Sequence, residues 1–281
     1  MSSTTSRWID LAGADNVRDV GGLPTTDGRT VQPHRLIRSD SLQSLTPADV
    51  RHLVDEVGVR AVVDLRTEVE VSLEGPGPMT REPQVAVRHL SLFPEAGENT
   101  DAVAVDDANG PVVLPWQTRE RHQTEDERQR GAAGVYLSYL DNRADSVLAA
   151  LRLIAYSDGA TVVHCAAGKD RTGVVVALAL AEVGVDPTAI VTDYARSADR
   201  VEATLTRLAS RPTYAADLLR DVDFDRHRPR RSTMERLLAA LDDVHGGVSS
   251  WLRAQGWTED DAAALRSRLL DPASPGRGMG T

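Results

Sequence analysis

Cysteine is almost absent from this chain of 281 residues: Cys165 is the only one. That excludes an intrachain disulfide and a metal site built on several thiolates. Oxidised Cys165 would find no resolving partner in the chain, so a reducing compartment is expected. Lysine is as scarce, with Lys169 standing alone beside thirty-one arginines. An excess of positive charge is missing too. The net charge of −10 argues against general affinity for nucleic acid or acidic membranes. Long apolar runs are also absent. The longest, Val174 to Ala181, falls far short of the ~20 residues that cross a bilayer. Met1 to Arg7 is polar, without the apolar stretch of a secretory signal. A cytoplasmic protein is expected, with export by a signal-less route left open. No internal repeat is evident, and the length suits one domain with room for an appended subdomain.

Both scarce residues fall in one stretch: His164-Cys165-Ala166-Ala167-Gly168-Lys169-Asp170-Arg171-Thr172-Gly173. Ahead of it, Thr161-Val162-Val163 reads as a buried strand, and behind it Thr172 to Glu182 reads as an apolar helix. Strand, tight loop and helix together aim backbone N–H groups at an anion. Ala166, Ala167 and Gly168 are small enough to let the backbone curl around a tetrahedral oxyanion. Arg171 can close that cradle with a planar fork, which suits phosphate better than an ammonium does. The same donors favour an anionic sulfur at Cys165. A thiolate facing phosphorus is a nucleophile that forms a phosphocysteine. The lone lysine sits in this loop, which points to a need for a compact charge there.

A nucleotide P-loop fails on inspection, because it needs Gly at 163 and Ser or Thr at 170, where the chain has Val163 and Asp170. Other readings stay open. The cysteine can be a small buried residue before a turn. The pocket can bind phosphorylated ligands without turning them over. A lone thiolate can also serve sulfur or arsenate chemistry.

A His followed by Cys-x5-Arg is the signature of cysteine-dependent phosphatases. The string HCAAGKDRTG resembles a narrower group, the bacterial tyrosine phosphatases whose loop reads HCxxGKDRTG. Asn16 to Gly22 resembles that group's NxRDxGG segment, and Arg38-Ser39-Asp40-Ser41-Leu42 and Asp64-Leu65-Arg66 also fit its pattern. The resemblance runs from about Trp8 to Leu270. It implies an α/β fold with a central, mainly parallel sheet flanked by helices and a helical lid over 197–245; residues 1–7 and the Pro/Gly-rich 271–281 read as loose tails. It implies a protein-tyrosine phosphatase acting on phosphotyrosine proteins, with dual specificity and phosphoinositides as further substrates. No metal or cofactor is called for, and the oligomeric state is not legible.

In that reading Cys165 attacks phosphorus, while Arg171 and the N–H groups of Ala166, Ala167, Gly168 and Lys169 bind the phosphate. Asp170 protonates the leaving oxygen and then activates water; its alternatives are capping the helix or pairing with Lys169. Thr172 should hydrogen-bond the sulfur. His164 supports the loop. Lys169 favours substrates carrying more than one phosphate. Asp64 has two readings: a structural acid paired with Arg66, or a site residue that holds Lys169 or Arg171. Arg18 and Asp19 either brace the loop or form a charged turn.

Elsewhere the pattern is plainer. Thr46-Pro47 opens a helix that runs to Gly58. Arg60 to Leu65 reads as a strand, Thr67 to Leu73 as a helix ended by Gly75-Pro76-Gly77-Pro78, and Val85 to Leu90 as a strand with His89 on its surface. Pro94 to Gly131 carries no periodic signal. Its Pro115-Trp116-Gln117 has the wrong order for a mobile Trp-Pro-Asp acid loop. Helices follow around Tyr136 to Leu140, Val147 to Ile154, and from Asp186-Pro187 to Tyr194. Amphipathic helices are predicted over 199–220 and 232–245. Arg226 to Arg231 between them is either a solvated charge run or a basic rim. Thr258 opens a last helix to Leu270.

Overall fold

A computed structural model describes residues 7–94, 125–218 and 223–271. Among these, five strands form one sheet: β1 (Arg18–Asp19), β2 (Leu36–Ser39), β3 (Val59–Asp64), β4 (Ala86–His89) and β5 (Ala160–His164). Their spatial order is β1-β2-β5-β3-β4. Only the β1–β2 pairing is antiparallel. The expected mainly parallel α/β architecture is therefore present. β5 lies at the centre with all five residues buried, as a near-continuous apolar run should when both faces are covered.

Strand alternation splits the core in two. Val162, Ile37 and Val62 pack with Val50, Leu53 and Val54 on one face. Val163, Val63 and Leu36 pack with the helices of the other face. Each such buried Val or Leu contributes about 1.5–3 kcal/mol.

The helices are α1 (Pro47–Arg51), continued by a π-helical turn (His52–Glu56), α2 (Glu68–Glu74), α3 (Glu125–Asn142), α4 (Ala144–Tyr156), α5 (Asp170–Glu182), α6 (Pro187–Ala195), α7 (Val201–Ala209), α8 (Pro212–Leu218), α9 (Arg231–His245), α10 (Val248–Ala254) and α11 (Glu259–Leu269). Thr46, Thr67 and Thr258 each close a capping box, with Asp49, Glu70 and Asp261. Each box satisfies N-terminal donors that the helix leaves open. α5 is buried from Val174 to Leu180, as a helix apolar on every side must be.

Several expectations need correction. Residues 125–130 are helical, and Gly131 (φ 56°) breaks the helix with a kink; this charged segment lacks the apolar stripe that would announce a helix. Residues 95–124, with Trp116, lie outside the described residues. The helix expected over 199–220 is a 3₁₀ turn (Arg196–Arg200) followed by α7 and α8, while 219–222 lie outside the described residues. Arg7 and Asp271, placed in the predicted tails, are bonded to the described structure. Arg7 accepts from Asp19 N at 2.9 Å, and Asp271 N donates to Thr30 O at 3.1 Å. Residues 1–6 and 272–281 lie outside the described residues.

Candidate active site

Register sets the position of the site. Ser39, His164 and Asp64 pair across β2, β5 and β3, so these strands end level at their C-terminal edge. Cys165 follows β5 there, where open α/β sheets place their ligands. The loop from Cys165 then turns into α5.

Three successive carbonyls of that loop are held from outside. Ser41 N donates to Ala166 O at 2.9 Å, Asn16 Nδ2 to Ala167 O at 3.0 Å, and Arg38 Nη2 to Gly168 O at 3.1 Å. A planar trans peptide points its N–H opposite its C=O. The N–H groups of Ala167, Gly168 and Lys169 are thereby turned inward, and Gly168 N meets Cys165 Sγ at 3.3 Å. Gly168 takes φ +68°, and a Cβ on it would lie 2.5 Å from Asp40 N. Only glycine fits there.

Arg171 reaches across the cradle to Glu70, with Nη1 to Oε2 at 2.6 Å and Nη2 to Oε1 at 3.0 Å. Nη1 also donates to Leu65 O at 3.2 Å. Burial disfavours the Glu70 charge, but Arg171, the Thr67 N–H and the Tyr214 hydroxyl outweigh it and hold the carboxyl below its usual range. Burial likewise opposes the Arg171 charge and is outweighed by Glu70 and Cys165.

Asp170 opens α5. Its Oδ2 lies 2.9 Å from Lys169 Nζ, and its Oδ1 accepts from Tyr136 Oη at 2.5 Å. Burial pushes this carboxyl up, but Lys169 and the Tyr136 hydroxyl overcome it and keep it below the ordinary value. The pairing with Lys169 that was one alternative for Asp170 is thus present.

Asp64 proves to be the structural acid. Arg66 clamps it through Nε and Nη2, at 2.9 and 2.6 Å, and His164 Nε2 lies 3.7 Å away. The expectation that Asp64 holds Lys169 or Arg171 is corrected: Glu70 takes Arg171 and Asp170 takes Lys169. The DLR spacing puts Asp64 and Arg66 two residues apart, close enough to pair with each other first. Burial lowers the affinity of His164 for a proton, against the pull of Asp64. Its Nδ1 lies 3.3 Å from Cys165 O, a supporting position beside the loop.

Thr172 does not meet the sulfur. Its hydroxyl is buried and has no hydrogen-bond partner among the described residues, while Gly168 N supplies the donor to Sγ. Arg18 acts one step back: it donates to Asn16 Oδ1 at 2.8 Å and pairs with Asp193 at 3.2 Å. Asp19 holds the N–H groups of Gly21 and His34, at 2.8 and 2.7 Å, which fixes a turn and not the loop. Asp40 accepts from Asp15 N and Asn16 N at 3.1 and 3.0 Å and so places Asn16. Burial pushes the Asp40 carboxyl up to about 7.

Of the 197–245 region expected as a lid, α7 and α8 pack against the loop at Ala166, through Val201, Leu205, Leu208 and Tyr214. Arg207 binds Asp15 at 2.6 Å, Tyr214 Oη donates to Glu70 Oε1 at 2.9 Å, and Arg211 and Thr213 hold Glu74. α9 instead sends Met234, Leu237 and Leu241 into the main core. Of the arginine run, Arg228 and Arg230 close on Asp225, at 3.5 and 2.5 Å, and Arg231 lies 3.9 Å from Glu235. That charge is met locally. His89 is exposed on β4, as read, and its Nε2 lies 2.6 Å from Arg66 O.

Sequence reasoning missed Glu70, Tyr136, Tyr214 and the part played by Asn16 and Arg38. Glu70 stands three residues after Thr67, a spacing that by itself signals only a capping box.

Comparison with known proteins agrees with this geometry. The chain is 32% identical to the triple specificity protein phosphatase PtpB of Mycobacterium tuberculosis, over 93% of this chain and 98% of that one. It is 27% identical to a tyrosine-protein phosphatase of Nostoc commune, over 88% of this chain and 78% of that one. Residues 9–271 match the profile of the tyrosine phosphatase family. That span takes in the sheet, the sulfur-bearing loop and the helices that cover it, and the chain belongs to the tyrosine phosphatase family.

Proposed function

We propose that the chain hydrolyses phosphomonoesters through a phosphocysteine at Cys165, with Asp170 as acid and then base. The observation that carries this is the set of three outward-held carbonyls, which turns a row of N–H donors toward the sulfur. In the first step the Cys165 thiolate attacks phosphorus. The S–P bond forms, the ester P–O bond breaks, and the Asp170 carboxyl gives its proton to the departing oxygen. In the second, water attacks the phosphocysteine and Asp170 takes its proton. The S–P bond breaks, releasing phosphate and restoring the thiolate. The loop N–H groups and Arg171 bind the equatorial oxygens and do so most strongly as charge builds in the transition state.

Phosphotyrosine, phosphoserine and phosphothreonine proteins and phosphoinositides are the proposed substrates. The triple specificity of PtpB supports that breadth, and so does the Lys169 ammonium beside the cradle, which can meet a second anionic group. Cys165 is 2% exposed. α7 and α8 pack against Ala166 beside it.

The test is phosphate release by purified protein from a phosphotyrosine peptide, a phosphoserine peptide and a phosphoinositide panel, with Cys165→Ser in parallel. Release that vanishes in the variant supports the phosphocysteine route and ranks the substrates. Release that persists in the variant overturns the route. No release from any substrate leaves a phospho-ligand-binding module.

A further inference from the structure

The two oxygens of Asp170 have different neighbours. Oδ2 faces Lys169 and Oδ1 faces the Tyr136 hydroxyl. Tyr136 Oη lies 2.8 Å from Tyr194 Oη in turn. A phenol has one proton to donate, and an ionised carboxylate can only accept. Tyr136 must therefore give its proton to Asp170, and Tyr194 must be the donor to Tyr136. The hydroxyls form a one-way chain from Tyr194 to Tyr136 to Asp170.

This chain is assembled from three elements. Tyr136 comes from α3, Tyr194 from α6, and Asp170 from the first turn of α5. The two rings meet edge to face, with centroids 6.3 Å apart. Gly173 makes room for the approach: a Cβ there would lie 2.8 Å from the Tyr194 ring. Both tyrosines are buried, and burying a hydroxyl is unfavourable unless it is bonded. Phenylalanine would fill the same space without that penalty. The two hydroxyls are instead aimed, one behind the other, at the carboxylate in the phosphate loop. Burial, then the nearby Asp170 charge, raises the proton affinity of both phenols. They remain donors throughout the working pH range.

We propose that Tyr136 is a positioning residue for Asp170, with Tyr194 behind it: the phenol pins Oδ1 and leaves Oδ2 as the oxygen that gives and takes the proton. This rests on the acid and base role given to Asp170 above. A pinned oxygen fixes the rotamer of the carboxyl, so Oδ2, on the Lys169 side, returns to the same place in both steps. The donor also favours the ionised form. Lys169 and Arg171, on its own turn, favour that form as well; Arg38 acts on Tyr194 behind, where it opposes the rise in that phenol's proton affinity.

The test compares Tyr136→Phe, Tyr194→Phe, Asp170→Asn and the double variant Tyr136→Phe/Asp170→Asn. Values of kcat/KM are measured for a phosphoserine peptide, whose alkoxide needs a proton, and for p-nitrophenyl phosphate, whose leaving group does not. Asp170→Asn should lose about 100-fold or more on the peptide and little on the aryl ester. Tyr136→Phe should lose about tenfold on the peptide and about twofold or less on the aryl ester. Its basic limb on the peptide should move up by about one pH unit, because the ionised carboxyl has lost a donor. In the Asp170→Asn background Tyr136→Phe should add nothing. Tyr194→Phe should move the limb in the same direction by less, and it carries the test alone should Tyr136→Phe fail to fold. Equal losses on both substrates, an unmoved limb, or losses that add in the double variant would make the phenol merely structural. An Asp170→Asn variant that loses equally on both substrates would overturn the acid and base role itself, which is a separate failure.

Discussion

Glu70 and Arg171 face each other as two parallel hydrogen bonds, at 2.6 and 3.0 Å, across a separation of 101 residues. The carboxylate aligns the fork that is to receive phosphate. It also ties that fork to α8, since Tyr214 donates to the same Glu70. Removing Glu70 leaves a buried guanidinium without its counter-charge.

Glu70→Ala should therefore lower the unfolding free energy by about 3–5 kcal/mol, the loss expected when one partner of a buried ion pair goes. Glu70→Gln should lose less, because it keeps an oxygen for Thr67 N. Both should reduce kcat/KM on a phosphotyrosine peptide. Guanidinium unfolding and steady-state kinetics check this. Wild-type kinetics in Glu70→Gln would mean that Arg171 is aligned without the pair.

The outward-held carbonyls give a second expectation. Asn16→Ala removes the donor to Ala167 O and leaves a carbonyl unbonded. The stability loss should be about 1–3 kcal/mol. Inorganic phosphate should inhibit the variant less well, because the N–H groups of the loop are no longer held in array. An unchanged inhibition constant would show that Ser41 N and Arg38 hold the loop without Asn16.

How much of this was legible follows from distance along the chain. The strand of Val162 and Val163, the sulfur loop and the start of α5 are contiguous, so their residue types alone declared strand, cradle and helix. Glu70 is different. A Thr67-x-x-Glu70 spacing is fully explained by capping, and nothing local says that the same carboxylate meets Arg171. Tyr136 reads as a core aromatic on an apolar helix face, and its hydroxyl finds Asp170 only after folding brings α3 beside α5. Amphipathic patterns marked helices after Ala198, yet a pattern does not say which surface its apolar face covers. α7 and α8 cover the loop, and α9 went to the main core. Asp64 had two open roles, at the sheet edge or beside Arg66, and the neighbour two residues on takes it.

Lys169 sits beside the cradle with its side chain 16% exposed. Its ammonium is a compact charge, available to a second phosphate once substrate is bound. Lys169→Ala should therefore cost more in kcat/KM on a phosphoinositide with two or more phosphates than on a phosphotyrosine peptide. Taking the ratio of the two losses cancels the effect of freeing Asp170 from its partner, since both reactions use Asp170. Equal losses would remove Lys169 from substrate selection.

Asp40 should make stability fall with rising pH. Burial, above the opposing pull of the Asp15 and Asn16 N–H groups, pushes its carboxyl from near 3.8 up to about 7. Asp15, itself paired with Arg207, adds to the push. The folded chain thus binds the Asp40 proton more tightly than the unfolded chain. The stability this provides is complete below about pH 4 and is lost as pH rises to about 7, by about 4 kcal/mol at most. Asp64 and Asp193 run the other way, with folded values below the usual range; their contribution is lost only as pH falls below about 4. Asp40→Asn keeps an acceptor for Asn16 N and removes the charge. Guanidinium unfolding at intervals from pH 5 to 8 should show the wild type losing stability relative to the variant across that range. A constant difference would mean that Asp40 ionises at its ordinary value. The two N–H groups would then be strong enough to hold a charge in the place that positions Asn16 and, through it, the phosphate loop.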